Sequence, residues 1–207
     1  MRRVVITGLG VISPIGNNAE EVTRSLKDGK SGIGRMESFV EHNFKCHVGG
    51  KPTIDPAEHV DKRVYRFMSE GAGWNYMAME QAIADAGLEE TDISHPRTGI
   101  IMGSGGPSAG TIIQAADITR DKGPRRIGPF AVPKAMSSTA SATLATPFKI
   151  LGVNYSITSA CTTSLHCIGA AAEQIQWGKQ DVMFAGGCEE IHWGLSNLFD
   201  AMGAMST

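Results

Sequence analysis

The stretch Val153-Asn154-Tyr155-Ser156-Ile157-Thr158-Ser159-Ala160-Cys161-Thr162-Thr163-Ser164-Leu165-His166-Cys167 decides the reading of the fold. Its first six residues, Val153 to Thr158, read as a strand. From Thr162 to Trp177 the apolar residues Leu165, Ile168, Ala172 and Ile175 recur at helical spacing, and Gly178 closes the pattern. A strand that passes straight into a helix sets Cys161 on a tight elbow between them. No formal charge lies between Ile150 and Ala172, so the stretch must be tested as a membrane span. The hydroxyls, amide and imidazole from Asn154 to His166 would be costly in lipid, and a buried segment of a soluble domain is the better reading.

Working outward, the same alternation repeats. Asp181 to Ala185 is a strand followed by Gly186-Gly187, and a helix is expected near Leu195 to Ala201. Upstream, Gly99-Ile100-Ile101-Met102 is a buried strand that ends in Gly103-Ser104-Gly105-Gly106. A small-residue helix is expected over Ser137 to Ala145, and one short helix near 109 to 119 in an otherwise loop-rich region. From Ser69 to Ala86 the residues Ala72, Tyr76, Met79, Ile83 and Ala86 lie on one face of a long helix, with Gly87 at its stop. Residues 31 to 60 read as loop with at most a short strand. Asn18 opens a helix with Glu21 placed as in a capping box, Val22 and Leu26 share a face, and Gly29 ends it. Val4-Val5-Ile6-Thr7 reads as the first strand. Strands alternating with helices predict an α/β fold with a largely parallel sheet and helices on its faces.

The composition agrees. The 207 residues can bury a sizeable core, and 42% hydrophobic against 19% charged residues argues against disorder. A net charge of −2, with no block of like charge, leaves no footprint for nucleic acid. The 25 glycines cluster at strand ends, where they permit tight turns and close helix packing. Cys46, Cys161, Cys167 and Cys188 are too few for a disulfide scaffold, and no common zinc spacing links them; reduced thiols in a cytosolic protein are expected. The basic start Met1-Arg2-Arg3 precedes an apolar run broken by Gly8, Gly10 and Pro14, which suits a strand and not a signal peptide. Neither membrane nor nucleic acid is expected as a partner.

Several motifs invite chemistry. Gly8-Leu9-Gly10 lacks the third glycine of a dinucleotide fingerprint, because Ser13 stands there and the helix starts only near Asn18. Gly103 to Gly106 lacks the Lys-Ser/Thr of a phosphate loop. Cys161 is different. A helix N-terminus stabilises a thiolate, and its free N–H groups stabilise an oxyanion formed by attack on a thioester. The competing reading is a buried cysteine acting as a small hydrophobe. His166 and Cys167 are expected to turn away from Cys161 along the helix and to sit in the core. Glu189, Glu190 and His192 lack the helical spacing of a metal motif, and His42, His47 and His59 read as surface residues.

At these residues the chain resembles the β-ketoacyl-acyl carrier protein synthases, the decarboxylating condensing enzymes of fatty acid synthesis. The resemblance runs from Val5-Ile6-Thr7-Gly8-Leu9-Gly10 and Pro14-Ile15-Gly16, through Gly103-Ser104-Gly105-Gly106 and Asn154-Tyr155-Ser156-Ile157-Thr158-Ser159-Ala160-Cys161. It continues into Asp181-Val182-Met183-Phe184-Ala185-Gly186-Gly187 and Phe199-Asp200-Ala201-Met202-Gly203-Ala204-Met205-Ser206-Thr207. Gln174-Ile175-Gln176 and the Phe-Asp-Ala-Met-Gly ending look most like the synthase I branch. The resemblance implies a thiolase-like fold, in which two βα halves stack into a five-layer αβαβα sandwich and dimerise. Residues 1–207 would be the N-terminal half.

By that resemblance Cys161 accepts an acyl group from acyl carrier protein or coenzyme A, with no cofactor or metal. Two histidines of the second half then promote decarboxylation of malonyl-acyl carrier protein, and the product is a 3-oxoacyl chain. The His-Gly-Thr, Gly-His and Gly-Phe-Gly-Gly motifs of that half do not occur here. Met136 and Phe199 are implied as acyl-pocket residues. The 207 residues alone are therefore expected not to condense substrates, and to expose an apolar face that promotes association. The alternative is a non-catalytic acyl-binding or partner subunit of a complete synthase.

Overall fold

The structure is a computed structural model that describes all 207 residues. Its centre is strand β3 (Thr98–Gly103), every residue of which is buried; the remaining elements are numbered along the chain as they are introduced below. Helix α1 (Ala19–Lys27) starts where expected: Asn18 Oδ1 accepts from the Glu21 N–H at 2.9 Å. Glu21 returns its carboxylate to the N–H of Asn17, one residue before the cap, at 2.8 Å. Leu26 is exposed, so the expected Val22–Leu26 face is not a buried one. Residues 31 to 60 are more ordered than the sequence suggests. Strands β1 (Ile33–Arg35) and β2 (Val48–Gly50) pair antiparallel around helix α2 (Glu37–Glu41), and α3 (Pro56–His59) and α4 (Lys62–Tyr65) follow.

Helix α5 (Glu70–Ala86) fits its sequence signals closely. Ser69 Oγ accepts from the Ala72 N–H at 3.2 Å, and Gly87 ends the helix at φ +64°, a conformation that costs glycine nothing. A short helix α6 (Glu90–Ile93) leads into β3. After β3 come α7 (Ala109–Lys122), a 3₁₀ turn over Pro124–Arg126, α8 (Ala131–Ala135) and α9 (Thr139–Ala145). Strand β4 (Asn154–Tyr155), helix α10 (Thr163–Gln176), strand β5 (Val182–Gly187) and helix α11 (Trp193–Ala201) complete the chain.

The sheet is parallel, in the order β4-β3-β5, with Thr98 beside Val182 and Ile100 beside both Asn154 and Phe184. Alternation along β3 sorts the core into two sides. Ile100 and Met102 pack with Met79 of α5 and with Ala140 and Leu144 of α9. Ile101 packs on the opposite side with Cys167 and Ala171 of α10. The result is one sheet between two helical layers, as the α/β reading requires. Truncating a fully buried residue of this core, such as Leu144, costs about 2–5 kcal/mol. No helix is long and apolar enough to cross a membrane.

Three expectations are corrected. Residues 4 to 7 form no strand; with β5 they line one cavity. Their neighbours instead give their amides to α5: Leu9 N–H donates to Asp85 Oδ2 at 2.9 Å and Val11 N–H to Gln81 Oε1 at 3.1 Å. Gly8 and Gly10 permit that approach, since a Cβ would lie 2.2 Å from the Ala82 carbonyl oxygen and 1.7 Å from that of Ala78. Strand β4 shrinks to two residues. The stripe predicted for α10 is also displaced: Leu165 and Ile168 are exposed, and Thr163, Cys167, Ala171 and Gln174 face inward.

One contact ties the 31–50 segment to the far end of the chain. Asp200 of α11 accepts from the Cys46 N–H at 3.0 Å and the Lys45 N–H at 3.1 Å. These bonds, that from Cys46 first, hold its carboxyl below the ordinary range. A depressed carboxyl stabilises the fold above its unfolded value, near ~3.9, and that gain is lost as pH falls through the lower folded value. The protection factors of the Lys45 and Cys46 amides, exchange measured against the intrinsic rate at each pH, should therefore be high at neutral pH and fall under strong acid. Asp200→Ala should lower them at every pH and open the buried Cys46 thiol to alkylation; unchanged protection would contradict the tie.

Candidate active site

The chain leaves β4 and reaches Ser159 at φ −147°, then turns through Ala160 at φ +51°. A left-handed residue other than glycine stores about 1–3 kcal/mol and persists only where its surroundings over-determine it. Ala160–Thr162 form a single 3₁₀ turn, and the regular helix begins at Thr163. Thr163 supplies the determinants. Its Oγ1 accepts from the Ser159 N–H at 2.9 Å and donates to the Ala160 carbonyl at 2.8 Å, so one hydroxyl grips both residues before Cys161.

His166 also returns to the elbow. Its Nδ1 lies 2.7 Å from Ser159 Oγ, and the residue is exposed, not in the core. Two physical facts explain the departure from expectation. Helical side chains lean toward the helix N-terminus, and a rotation counted from Cys161 fails because α10 starts two residues later. Cys167 is in the core as expected.

Beneath the elbow lies the loop that follows β3. Ser104 Oγ donates to Glu189 Oε1 at 3.0 Å and the Gly105 N–H to Oε2 at 2.8 Å. A Cβ on Gly105 would stand 2.6 Å from that carboxylate and 3.0 Å from the Ala160 carbonyl oxygen, so only glycine lets loop and elbow touch. Burial raises the Glu189 carboxyl above its usual value, against the pull of these donors. His192 caps α11, its Nδ1 accepting from the Gly194 N–H at 3.1 Å. Glu189 and His192 thus serve different elements, and no three His, Cys, Asp or Glu side chains gather as a metal set.

All four cysteines are free, and their surroundings differ. Cys46 is buried. Cys167 is buried against Ile101, and burial raises its thiol. Burial, followed by the charges of Glu189 and Glu190, pushes the Cys188 thiol up to about 12. Cys161 alone is exposed. Of the two pocket residues expected from the sequence, Met136 is half-buried at the end of α8, and Phe199 is exposed on α11. A cavity of about 770 Å³ lies between the N-terminal segment, β5 and α10; Phe199 lines it, and neither Met136 nor Cys161 does.

This strand–elbow–helix unit belongs to a recognised sequence family. The profile of the β-ketoacyl synthase N-terminal domain matches residues 1–207. The chain belongs to the β-ketoacyl synthase family. The chain is 56% identical over 208 residues to the 3-oxoacyl-[acyl-carrier-protein] synthase 1 of Haemophilus influenzae, covering 100% of itself and 51% of that protein. It is 53% identical over 209 residues to the synthase 1 of Escherichia coli, covering 52% of it. It therefore spans about half the length of these curated relatives. A crystal structure of a β-ketoacyl synthase from Burkholderia phymatum superposes with a TM-score of 0.88 at 28% identity, over 100% of this chain and 51% of the other. The thiolase-like fold follows.

The four thiol environments give a direct test. Iodoacetamide near neutral pH should modify Cys161 and spare Cys46, Cys167 and Cys188, as read by peptide mass spectrometry of the native chain. Modification that falls on Cys188 or Cys46 and leaves Cys161 untouched would contradict the geometry.

Proposed function

We propose that this chain carries the acyl-accepting half of a 3-oxoacyl-[acyl-carrier-protein] synthase, and that Cys161 is its nucleophile. The observation that supports this reading is the exposed Cys161 thiol on a left-handed elbow, in a chain 56% identical over its whole length to such a synthase. The Cys161 thiolate attacks the carbonyl carbon of an acyl thioester. The new S–C bond forms, the carrier's C–S bond breaks, and the carrier leaves as a thiol with the proton that Cys161 gave up. In the complete enzyme the acyl-cysteine is then joined to malonyl-acyl carrier protein with loss of carbon dioxide. The product is a 3-oxoacyl chain two carbons longer, free Cys161 returns, and the route is fatty acid elongation. Met136 and Phe199 are assigned to the acyl channel in that assembly. The exposed Leu165 and Ile168 on α10 are assigned to a face that the assembled homodimeric synthase covers.

For the carrier, the surface offers a basic cluster. Lys62 and Arg63 of α4 and the neighbouring Arg66 are exposed, and none is paired with a carboxylate. The Arg66 guanidinium lies 5.3 Å from the Phe130 ring and 5.8 Å from that of Phe67, and the two rings meet edge to face at 5.0 Å. An acyl carrier protein that presents an acidic face fits such a patch.

Incubation with an acyl thioester should add one acyl group to Cys161, seen by mass spectrometry, and Cys161→Ala should abolish it. The 207 residues alone should stop there, with no 3-oxoacyl product from added malonyl-acyl carrier protein. Acylation confined to another cysteine would overturn the nucleophile assignment, and 3-oxoacyl product would overturn the division into halves. Charge reversal at Lys62 and Arg66 should raise the KM for a carrier-bound donor in a salt-dependent way. Transfer from a small free thioester should be unchanged.

A further inference from the structure

We propose that Thr163 and His166 are positioning residues for Cys161, acting together as a clasp that holds the elbow in its strained conformation. The inference rests on the reading of Cys161 as the acyl acceptor, and it adds what keeps that thiol presented. Three observations carry it. Ala160 sits at φ +51° without glycine's freedom, so something must hold it there. The Thr163 hydroxyl is used twice, once on the Ser159 N–H and once on the Ala160 carbonyl, which are the groups whose directions define the turn. His166 reaches back from the next turn of α10 to the Ser159 hydroxyl, although solvent was available to it.

The clasp has a physical consequence for Cys161. Thr163 is 4% exposed and locked in the first turn of α10, so its hydroxyl is a fixed point, not a mobile one. Without it, the Ser159 N–H and the Ala160 carbonyl lose a partner on the same side, and Ala160 is free to relax toward negative φ. That relaxation rotates the peptide entering Cys161, and the thiol no longer projects where an incoming carbonyl carbon can meet it. A misplacement of about 1 Å commonly costs on the order of 100-fold in rate. His166 adds to the same restraint through Ser159 and needs no proton transfer to do so.

The test compares variants of the chain by two rates at Cys161, read by mass spectrometry: alkylation by iodoacetamide and acylation by a small acyl thioester. Thr163→Val keeps shape and removes the hydroxyl; it should slow both rates roughly 10- to 100-fold across the neutral to alkaline range. Thr163→Ser should restore them. His166→Ala, at an exposed position, should slow both about 5-fold. Circular dichroism and Tm report folding, and the Cys188 alkylation rate in the same samples reports loosening of the whole chain. A folded Thr163→Val chain that reacts at the wild-type rates overturns the proposal. If Thr163→Val does not fold, His166→Ala with wild-type rates overturns it. Slowed alkylation, with no acylation of Cys161 even in the unaltered chain, would uphold the clasp and refute the acyl-acceptor reading.

Discussion

The complete burial of β3 is the constraint on which the rest of the structure depends. Six consecutive residues without solvent must have both backbone edges paired, since an orphaned buried amide or carbonyl costs as much as a lost hydrogen bond. β5 supplies one edge along its whole length, from Val182 beside Thr98 to Gly187 beside Gly103. β4 supplies the other over Asn154 and Tyr155, and beyond it the Gly152 N–H donates to the Thr98 carbonyl. The faces follow from the same demand. Ile100 and Met102 require the layer of α5 and α9, and Ile101 requires α10.

That constraint also fixes where the thiol can be. Because β4 and β5 both run parallel to β3, the connection between them must cross the sheet, and α10 is that crossing. Its start is therefore held at the same end of the sheet as the Gly103–Gly106 loop and the Glu189 carboxylate. The contacts there are between backbone and small side chains: Gly105 against Ala160, Gly187 against Ser164, Gly103 against Ile157 and Thr163. A larger residue at any of these would push loop and elbow apart. The abundance of glycine at strand ends is a condition of bringing Cys161, the β3 loop and Glu189 within one small volume.

Much of this was legible in the sequence where a local rule acts alone. Asn18, Ser69 and Gly87 mark helix ends by their own hydrogen bonds or backbone freedom, and the elements they bound lie where expected. The Ile100-Ile101-Met102 run could only be a strand buried on both faces. The errors fall where two partners compete for one group. Val4 to Thr7 has a strand's composition, but the amides just after it are taken by Asp85 and Gln81, a choice invisible without knowing that α5 lies alongside. Leu165 and Ile168 form a true helical stripe, yet burial on α10 is decided by close packing on β3. Cys167 and Ala171 lie on the side that meets β3, and the Leu165–Ile168 stripe is rotated away from it. The expectation for His166 fails because a regular helix cannot extend back through a residue at positive φ. Ala160 carries no compositional mark of that conformation.

Exposure separates the thiols of Cys188, Cys167 and Cys161. Cys188 lies only one residue from Glu189, a carboxylate at the heart of the site, yet burial and like charge keep it in the unreactive thiol form. Cys167 is six residues from Cys161 and faces the sheet, where burial acts the same way. Cys161 differs from both by one structural fact: the chain reverses through Ala160 before the helix begins, so its side chain is outside the layer that the helix covers. Had the strand run into α10 by a regular turn, the first helical residue would have carried its side chain against β3, as Thr163 does. The residue at positive φ is thus what separates an exposed cysteine from another buried one, and the hydrogen bonds from Ser159 and to Ala160 belong to the same turn.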